Sequence, residues 1–390
     1  MNDKPISQDQ DSTDESELSS TPPATPVDPP VIQIGPEFAI AEDVHSIVTG
    51  ESVAGTSLWR DAWRRLLKNK IAVFGMIVVI VIALASLLGP TAIKYATGYT
   101  YDLIPKDSAL NKSFSPFRGP GGRFAWTHPM GTDIAGRDIL ARVLSGGQIS
   151  LMVALISTLV SLLIGVSYGA VAGYLGGRID DVMMRIVDVL YSLPYVIIVI
   201  VLLALLPAEV WVTWLGLLFK YLGQGVPWLR SLFNYLGLGV HPMDASTVQL
   251  AELFFALGAV SWLTMARIVR GQVMSLKNQE FVLAARATGV STPKIIFRHI
   301  VPNALGPVIV YTTLTIPTVM LSEAFLSFLG LGVRPPRVSW GSLAAEGAQT
   351  LAIYPWQLIF PGVTMALMLF SLNFLGDGLR DALDPQMRKG

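Results

Sequence analysis

Long apolar stretches decide what kind of fold this chain can form. The first, IAVFGMIVVIVIALASLLG at 71–89, contains no charged residue. A helix needs about 20 mostly apolar residues to cross the ~30 Å hydrocarbon core of a bilayer. Five further stretches of this kind are at about 150–173, 186–206, 249–268, 305–327 and 357–376. The sequence therefore predicts an all-α membrane protein with six transmembrane helices.

The composition argues against an ordinary soluble enzyme. Hydrophobic residues make up 52% of the 390 residues and charged residues only 14%, whereas soluble domains carry about 25% charged residues. The chain has no cysteine, which excludes disulfides, thiolate metal sites and cysteine nucleophiles. Its four histidines are far apart in the sequence, and no two stand at metal-ligand spacing. We therefore predict no catalytic site, no metal site and no cofactor bound by this chain.

The N-terminal segment differs in composition from the rest of the chain. Residues 1–57 contain eleven Asp and Glu residues and a single basic residue, together with many Ser, Thr and Pro residues. Such a segment buries too little apolar surface to offset the entropy of the chain, so we predict a disordered, acidic cytoplasmic tail. A partner-binding role for this tail remains an alternative.

A basic amphipathic segment, LWRDAWRRLLKNK at 58–70, follows the tail. Helical spacing places four apolar residues on one face: Trp59, Trp63, Leu66 and Leu67. The pattern is typical of a helix lying in the headgroup layer, with a plain basic flank as the alternative. We assign 58–105 to this helix, the first span and the start of an outside loop.

The distribution of Lys and Arg predicts that both ends of the chain lie in the cytoplasm. With that orientation, inside segments hold sixteen Lys and Arg residues in roughly 75 residues, against eleven in roughly 130 outside. Two long segments then lie outside, an extracytoplasmic loop at 106–149 and an insert at 207–248. The insert contains two short tryptophan-bearing apolar stretches, which we interpret as interfacial helices. An additional membrane hairpin is the alternative for the insert.

No nucleotide site is visible in the sequence. GTDIAGRD at 131–138 has the glycine spacing of a phosphate loop, but Arg137 and Asp138 occupy the positions that require Lys and Ser or Thr. An HExxH motif is also missing, so metal-dependent hydrolysis inside the membrane has no apparent catalytic residues. Any dependence on ATP must therefore come from a partner.

The inside loop between the fourth and fifth spans, at 269–304, is the most informative segment. Its core, LKNQEFVLAARATGVSTPKIIFRHIVPNALGP at 276–307, predicts a helix over about 278–288 with Glu280 in its first turn, then a turn, then a second amphipathic helix. Gly289 suits a left-handed turn position, and Thr292 is predicted to cap the second helix. Ala284 and Ala285 predict a small, smooth surface that another protein can approach closely. A plain amphipathic loop is the alternative.

This loop resembles the EAA loop of binding-protein-dependent ABC importers. The similarity rests on the Glu-x-x-x-Ala-Ala-x-x-x-Gly pattern, here Glu280, Ala284, Ala285 and Gly289, followed by Ile-Val-Pro at 300–302. In that family the loop forms the coupling helix that docks on the ATPase. The resemblance implies an ATPase-coupling role for these residues and for Pro302.

Three more stretches are similar to the C-type subunit of the dipeptide and oligopeptide permeases: GTDIAGRDILARVLSGGQISL, EAFLSFLGLGVRPPRVSWG and NFLGDGLRDALDP. The resemblance implies the type I importer fold, with a permease core at 150–385 in a bacterial inner membrane. It also implies a homologous permease, two ATPases that bind ATP and magnesium, and an extracytoplasmic binding protein. Nickel chelates and other small solutes remain alternative cargoes. An ATP-independent channel or secondary carrier, and a membrane scaffold, remain alternative functions.

The predicted spans hold few ionisable residues, and those such as Asp188, Glu252 and Glu323 lie near span ends rather than at the bilayer centre. Glu323 is near the outer end of the fifth span, where a substrate or outer-gate contact and a structural hydrogen bond are both open. The sequence gives no basis for naming substrate-binding residues.

Overall fold

The computed structural model describes residues 58–107, 112–119, 123–205 and 245–383. The predictions for the acidic tail and for the 207–248 insert fall on residues outside these ranges, apart from the last few of the insert. Within the described part the chain forms helices, and its β structure is limited to two isolated bridges. The helices, in chain order, are α1 (Leu58–Lys68), α2 (Lys70–Thr97), α3 (Ile139–Leu175), α4 (Gly177–Ser192), α5 (Tyr195–Leu205), α6 (Ala245–Leu276), α7 (Glu280–Ala287), α8 (Thr292–Lys294), α9 (Val301–Asn303), α10 (Leu305–Phe328), α11 (Trp340–Gln349) and α12 (Trp356–Leu383).

Five of these helices are long and apolar enough to cross a membrane, and α4 with α5 is a sixth candidate. The long helices are α2, α3, α6, α10 and α12. Several extend beyond the predicted apolar stretches, α3 most of all, because it begins at Ile139 and runs for 37 residues. Its N-terminal end is fixed by Asp138, whose carboxylate accepts a hydrogen bond from the backbone N–H of Ala141. The apolar run therefore locates a span but not the ends of its helix.

The third predicted span differs from a straight helix. The chain bends by 98° between α4 and α5. Pro194 follows Leu193, whose backbone is extended, with φ −81° and ψ 141°. A residue before proline is disfavoured in the helical conformation, and proline itself has no N–H to donate. The single proline thus explains why an otherwise continuous apolar run forms two helices.

The close packing of α3 on α6 forms the centre of the bundle. Gly165, Gly169 and Gly173 recur at four-residue intervals along α3 and face α6. A Cβ atom at Gly169 would overlap the backbone carbonyl of Ala266, so only glycine permits this separation of the two helices. Small residues at such intervals are the usual means by which helices approach closely in a bilayer.

Helix α1 packs against the C-terminal part of α12. Leu66 is 2% exposed, and it forms a small apolar cluster with Ala62, Ala72 and Ala382. The face predicted from the sequence is therefore divided, because Trp63 and Leu67 lie about half exposed on the outside of the helix. Leu66 is buried against α12, whereas Trp63 and Leu67, which were predicted to share its face, are not.

Candidate functional site

The first helix of the predicted coupling loop is α7, which is shorter than the sequence suggested. Gln279 lies at its N-cap, and Glu280 is its first residue, so the carboxylate lies at the positive end of the helix dipole. The helix ends in a turn at Gly289, whose φ of +76° confirms the predicted left-handed position. The backbone N–H of Val290 donates to the carbonyl of Ala285 at 3.1 Å, which closes this turn.

The second half of the loop is a continuous helical segment that is partly widened. Ser291, one residue before the predicted Thr292, is the N-cap of α8, so that prediction was shifted by one position. A π-helical turn covers Ile295–Ile300 and leads into α9, which contains Pro302. Proline cannot donate a backbone hydrogen bond, and π-turns are frequent where the normal helical pattern is interrupted.

The two halves of the loop share an apolar core with the inner ends of α3 and α6. The buried residues are Ala170, Met265, Val269, Val273, Val282, Ala285, Ile295, Ile296, Ile300 and Val308. Two polar contacts add to this core at the end of α3. The Lys277 ammonium donates to the carbonyl of Gly173 at 3.1 Å, and Arg286 Nε donates to the hydroxyl of Tyr174 at 3.1 Å. The loop is thus attached rigidly to two spans.

The exposed face of α7 is more apolar than the sequence indicated. Glu280 and Ala284 are exposed, but Ala285 is 8% exposed and packs into the core. The prediction of a two-alanine surface is therefore wrong for Ala285, because Ala285 lies on the same side of the helix as buried Val282. Phe281 and Leu283 lie on the solvent side and are 37% and 50% exposed.

A large open cavity lies between α4, α5, α6, α10 and the end of α12. Its volume is about 900 Å³, near the upper end of the range for small-molecule sites. Among the residues that the structure describes, Arg380 is the only Asp, Glu, Lys or Arg in its lining. The remaining surface combines apolar side chains with Ser, Thr, Tyr and Gln residues, which gives the cavity a largely neutral lining beside α6 and α10.

Glu323 lies at the centre of a buried hydrogen-bond network. Its carboxyl group accepts from the hydroxyls of Ser327 and Ser339 at 2.7 Å each, and from Ser150 at 3.2 Å. The side chain is 1% exposed. These contacts connect α10, α3 and the N-terminal end of α11. Of the two roles left open by the sequence, the geometry supports the structural hydrogen bond.

The acidic residues of the 131–138 segment also make structural contacts. The Asp133 carboxylate accepts from Arg137 Nε at 2.6 Å and from Arg142 Nη1 at 2.7 Å. Arg142 in turn pairs with Glu346 of α11 at 2.8 Å. This ion cluster, in which Asp133 and Arg142 are buried, ties the loop before α3 to α11. It also gives a structural partner to Arg137, which stands where a phosphate loop requires Lys.

Comparison with known proteins identifies the family. The model described as "Binding-protein-dependent transport system inner membrane component" matches residues 165–389. A second model, "N-terminal TM domain of oligopeptide transport permease C", matches residues 57–109. The chain belongs to the family of binding-protein-dependent transport permeases. The all-α architecture is confirmed for the described residues, which contain five candidate spans, or six with α4 and α5 counted as one bent span, in keeping with the predicted six.

Several characterised permeases resemble this chain over most of their length. The oligopeptide transport system permease protein OppC of Escherichia coli K12 is 44% identical over 336 residues, covering 86% of this chain and 94% of the relative. OppC of Bacillus subtilis is 38% identical over 91% of this chain and 97% of the relative. The dipeptide transport system permease protein DppC of Bacillus subtilis is 38% identical over 85% and 87%, respectively.

Family membership establishes the general role of this permease. It is a multi-pass inner-membrane transport subunit rather than an enzyme. Membership also implies two kinds of partner, a substrate-binding protein and an ATPase.

Two features of the permease were missed from the sequence. The ion cluster around Asp133 joins residues more than 200 positions apart, so no local sequence pattern predicts it. The hydroxyl residues of the cavity did carry a signal, because four of them on α10 recur at helical spacing: Tyr311, Thr315, Thr318 and Ser322.

Proposed function

We propose that this permease is one of two homologous membrane subunits of an ATP-driven importer that carries di- or oligopeptides into the cell. The observation that supports this cargo most directly is the 44% identity to an oligopeptide permease over 94% of that protein's length. Substrate would pass between the two permeases by alternating access. Two ATPases on the inner side would bind ATP and magnesium, and a binding protein on the outer side would deliver the peptide.

The 276–302 loop is proposed to transmit the ATPase cycle to the spans. Glu280, Ala284 and the exposed Phe281 and Leu283 form a compact face that is accessible to another protein. Ala285 takes part indirectly, because its burial fixes α7 on the core shared with α6. A force on α7 would therefore reach both α3 and α6 without first deforming a flexible linker.

Gly289 and Pro302 would shape the loop rather than contact the ATPase directly. Gly289 supplies the left-handed turn that reverses the chain after α7. Pro302 follows the π-helical turn and precedes the entry into α10. Their geometry sets the angle at which the exposed face of α7 projects from the spans.

The rival function, an ATP-independent carrier or channel, has less support. A proton- or ion-coupled carrier usually has carboxylates facing its pathway, but among the described residues the cavity lining contains only one ionic side chain, Arg380. Nickel chelates and other small solutes remain alternative cargoes for the same architecture. The binding protein, rather than this chain, would choose among them.

The decisive experiment is purification of the tagged permease from its native membrane in mild detergent, followed by reconstitution. We expect a second permease and ATPase subunits to co-purify, and the complex to take up peptide only with ATP and the binding protein. Isolation of the chain alone, with ATP-independent flux after reconstitution, would contradict the proposal.

A variant tests the coupling loop within the same preparation. Glu280→Arg should leave the complex inserted and assembled but separate ATP hydrolysis from uptake, because it reverses the charge at the start of α7. Asp381→Arg changes an exposed acid on α12 and serves as the matched control. Normal uptake by Glu280→Arg would refute the assignment of this loop.

A further inference from the structure

One face of α10 carries a row of hydroxyl groups into the large cavity. Tyr311, Thr315, Thr318 and Ser322 are spaced at four, three and four residues, which places them on a single side of the helix. The row extends over about 16 Å of helix, given a rise of ~1.5 Å per residue. We call these four residues the hydroxyl row.

Three of these hydroxyls already donate a hydrogen bond to a backbone carbonyl of the same helix. Thr315 Oγ1 donates to the carbonyl of Tyr311 at 2.8 Å, Thr318 Oγ1 to that of Leu314 at 3.2 Å, and Ser322 Oγ to that of Thr318 at 2.9 Å. A hydroxyl that donates its only proton keeps lone pairs that can accept. The row therefore presents hydrogen-bond acceptors to the cavity.

One hydroxyl of α6 has the same arrangement. Ser261 lines the same cavity and donates its proton to the carbonyl of Leu257 at 2.8 Å. Much of the remaining lining is apolar, including Val260, Leu263 and Val310. An unpaired N–H group is costly in such surroundings, so acceptors placed there favour a ligand that brings donors.

The charged residues of the lining further restrict the class of ligand that the cavity can bind. Among the described residues its lining has no carboxylate to hold an ammonium group and a single cation, Arg380. The walls therefore offer contacts to a neutral polar backbone more than to charged side chains. A peptide main chain brings one N–H donor per non-proline residue to these acceptors, and its carbonyls can accept from the Tyr and Gln side chains of the same lining.

We propose that the hydroxyl row is the surface along which the transported peptide passes, with its backbone N–H groups donating to Thr315, Thr318 and Ser322. This inference rests on the proposed function and adds to it the residues and the polarity of the contact. Because every peptide has the same main chain, the row supports passage without selecting side chains.

The same helix provides a matched control for this assignment. Thr312 and Thr313 also donate to carbonyls one turn earlier, at 2.7 and 3.0 Å, but they lie outside the cavity lining. Replacing them with valine removes the same intrahelical bonds as replacing Thr315 and Thr318. The two double variants therefore differ in which face of α10 loses its hydroxyls.

The test is peptide uptake by the full reconstituted complex, at saturating loaded binding protein, with ATP hydrolysis measured in parallel. Each lost acceptor should lower uptake about fivefold. We expect T315V/T318V to reduce uptake per ATP hydrolysed more than tenfold, T312V/T313V to match the unmodified complex, and T315S/T318S to retain most of the uptake. Equal uptake in the two valine variants, whether normal or reduced, would overturn the inference.

Cross-linking gives a second measurement that does not depend on transport rate. The chain contains no cysteine, so Thr318→Cys and Thr312→Cys each introduce a single reactive thiol. A peptide whose cysteine is activated as a thiopyridyl mixed disulfide, trapped in the complex during ATP turnover, should form a disulfide by exchange with Thr318→Cys, releasing thiopyridone, and not with Thr312→Cys. Cross-linking that favours Thr312→Cys would overturn the inference.

The outcome also separates this inference from the proposed function. Uptake by the unmodified complex with no difference between the variants would refute the role of the hydroxyl row but not the proposed importer function. Failure of the unmodified complex to take up any peptide would refute both the role of the hydroxyl row and the proposed peptide import.

Discussion

Glu323 provides the sharpest test of how the permease core is held together. Its carboxyl group accepts three hydroxyl hydrogen bonds from three different parts of the chain. The neighbouring backbone depends on the same group, because Ser150 also accepts from the N–H of Trp340 at 3.1 Å. Removing the carboxyl by Glu323→Ala should therefore loosen the junction of α3, α10 and α11.

The size of the effect follows from the number of contacts. A buried hydrogen bond contributes about 1 kcal/mol net, so the loss of three corresponds to ~3 kcal/mol. Ser327 and Ser339 are 3.5 Å apart and can pair with each other, which lowers the expected value toward ~2 kcal/mol. Glu323→Gln should cost about 1 kcal/mol or less, because it keeps one carbonyl oxygen and adds an amide donor toward Ser150.

The assay is thermal unfolding of the purified complex in detergent, followed by intrinsic tryptophan fluorescence at a fixed scan rate. Trp340 is fully buried beside the network, so this junction contributes to a signal that all nine tryptophans of the chain share. A loss of ~2–3 kcal/mol predicts a midpoint lower by about 2–4 °C for a chain of 390 residues. Glu280→Ala, at an exposed position, should shift the midpoint by less than about 1 °C while impairing uptake.

The result that would refute the reasoning is an unfolding midpoint for Glu323→Ala within about 1 °C of the unmodified complex. A substrate-contact role would instead predict lost uptake with unchanged stability. A drop for Glu323→Gln as large as that for Glu323→Ala would also contradict the argument, because the glutamine retains most of the hydrogen bonds.

Three further outcomes follow from the geometry. Gly169→Val should prevent assembly of a stable complex, seen by size-exclusion chromatography, because its side chain would overlap the Ala266 carbonyl of α6; Gly271→Val, at a position with open space, should still assemble. Gly289→Ala should cost ~1–2 kcal/mol of local strain and reduce ATP-coupled uptake, because alanine disfavours a φ of +76° and has no steric clash to add. Asp180→Ala should lower the unfolding midpoint by several degrees, because it removes a two-point ion pair with Arg270, at 2.6 Å for each bond; the lack of any shift would show that this pair does not stabilise the contact of α4 with α6.

Local sequence patterns predicted the parts of this protein that depend on neighbouring residues. Each predicted apolar run is helical, the third as two helices, because a backbone in lipid must satisfy its hydrogen bonds within the segment. The turn at Gly289 was predictable for a similar reason, since glycine adopts a positive φ without a steric penalty. The family was also recognisable from short motifs, and the comparisons confirm it.

Helix ends and bends were less predictable, because they depend on single residues. The Asp138 cap starts α3 well before its apolar stretch, and Pro194 breaks the third span into two helices. Both residues were visible in the sequence. Their effect depended on contacts and angles that hydropathy alone does not report.

Tertiary structure decided which residues meet. Ala284 and Ala285 are adjacent in sequence, yet one faces solvent and the other is buried, because α6 and the following helical segment cover one side of α7. Glu323 is an isolated charge in the sequence and becomes the acceptor of three hydroxyls from separate segments. By itself, the sequence determined that this chain spans a membrane as helices and to which transport family it belongs. Only the packing of those helices placed the hydroxyl row on a cavity and the coupling loop on α3 and α6, because such contacts join residues that are distant in the chain.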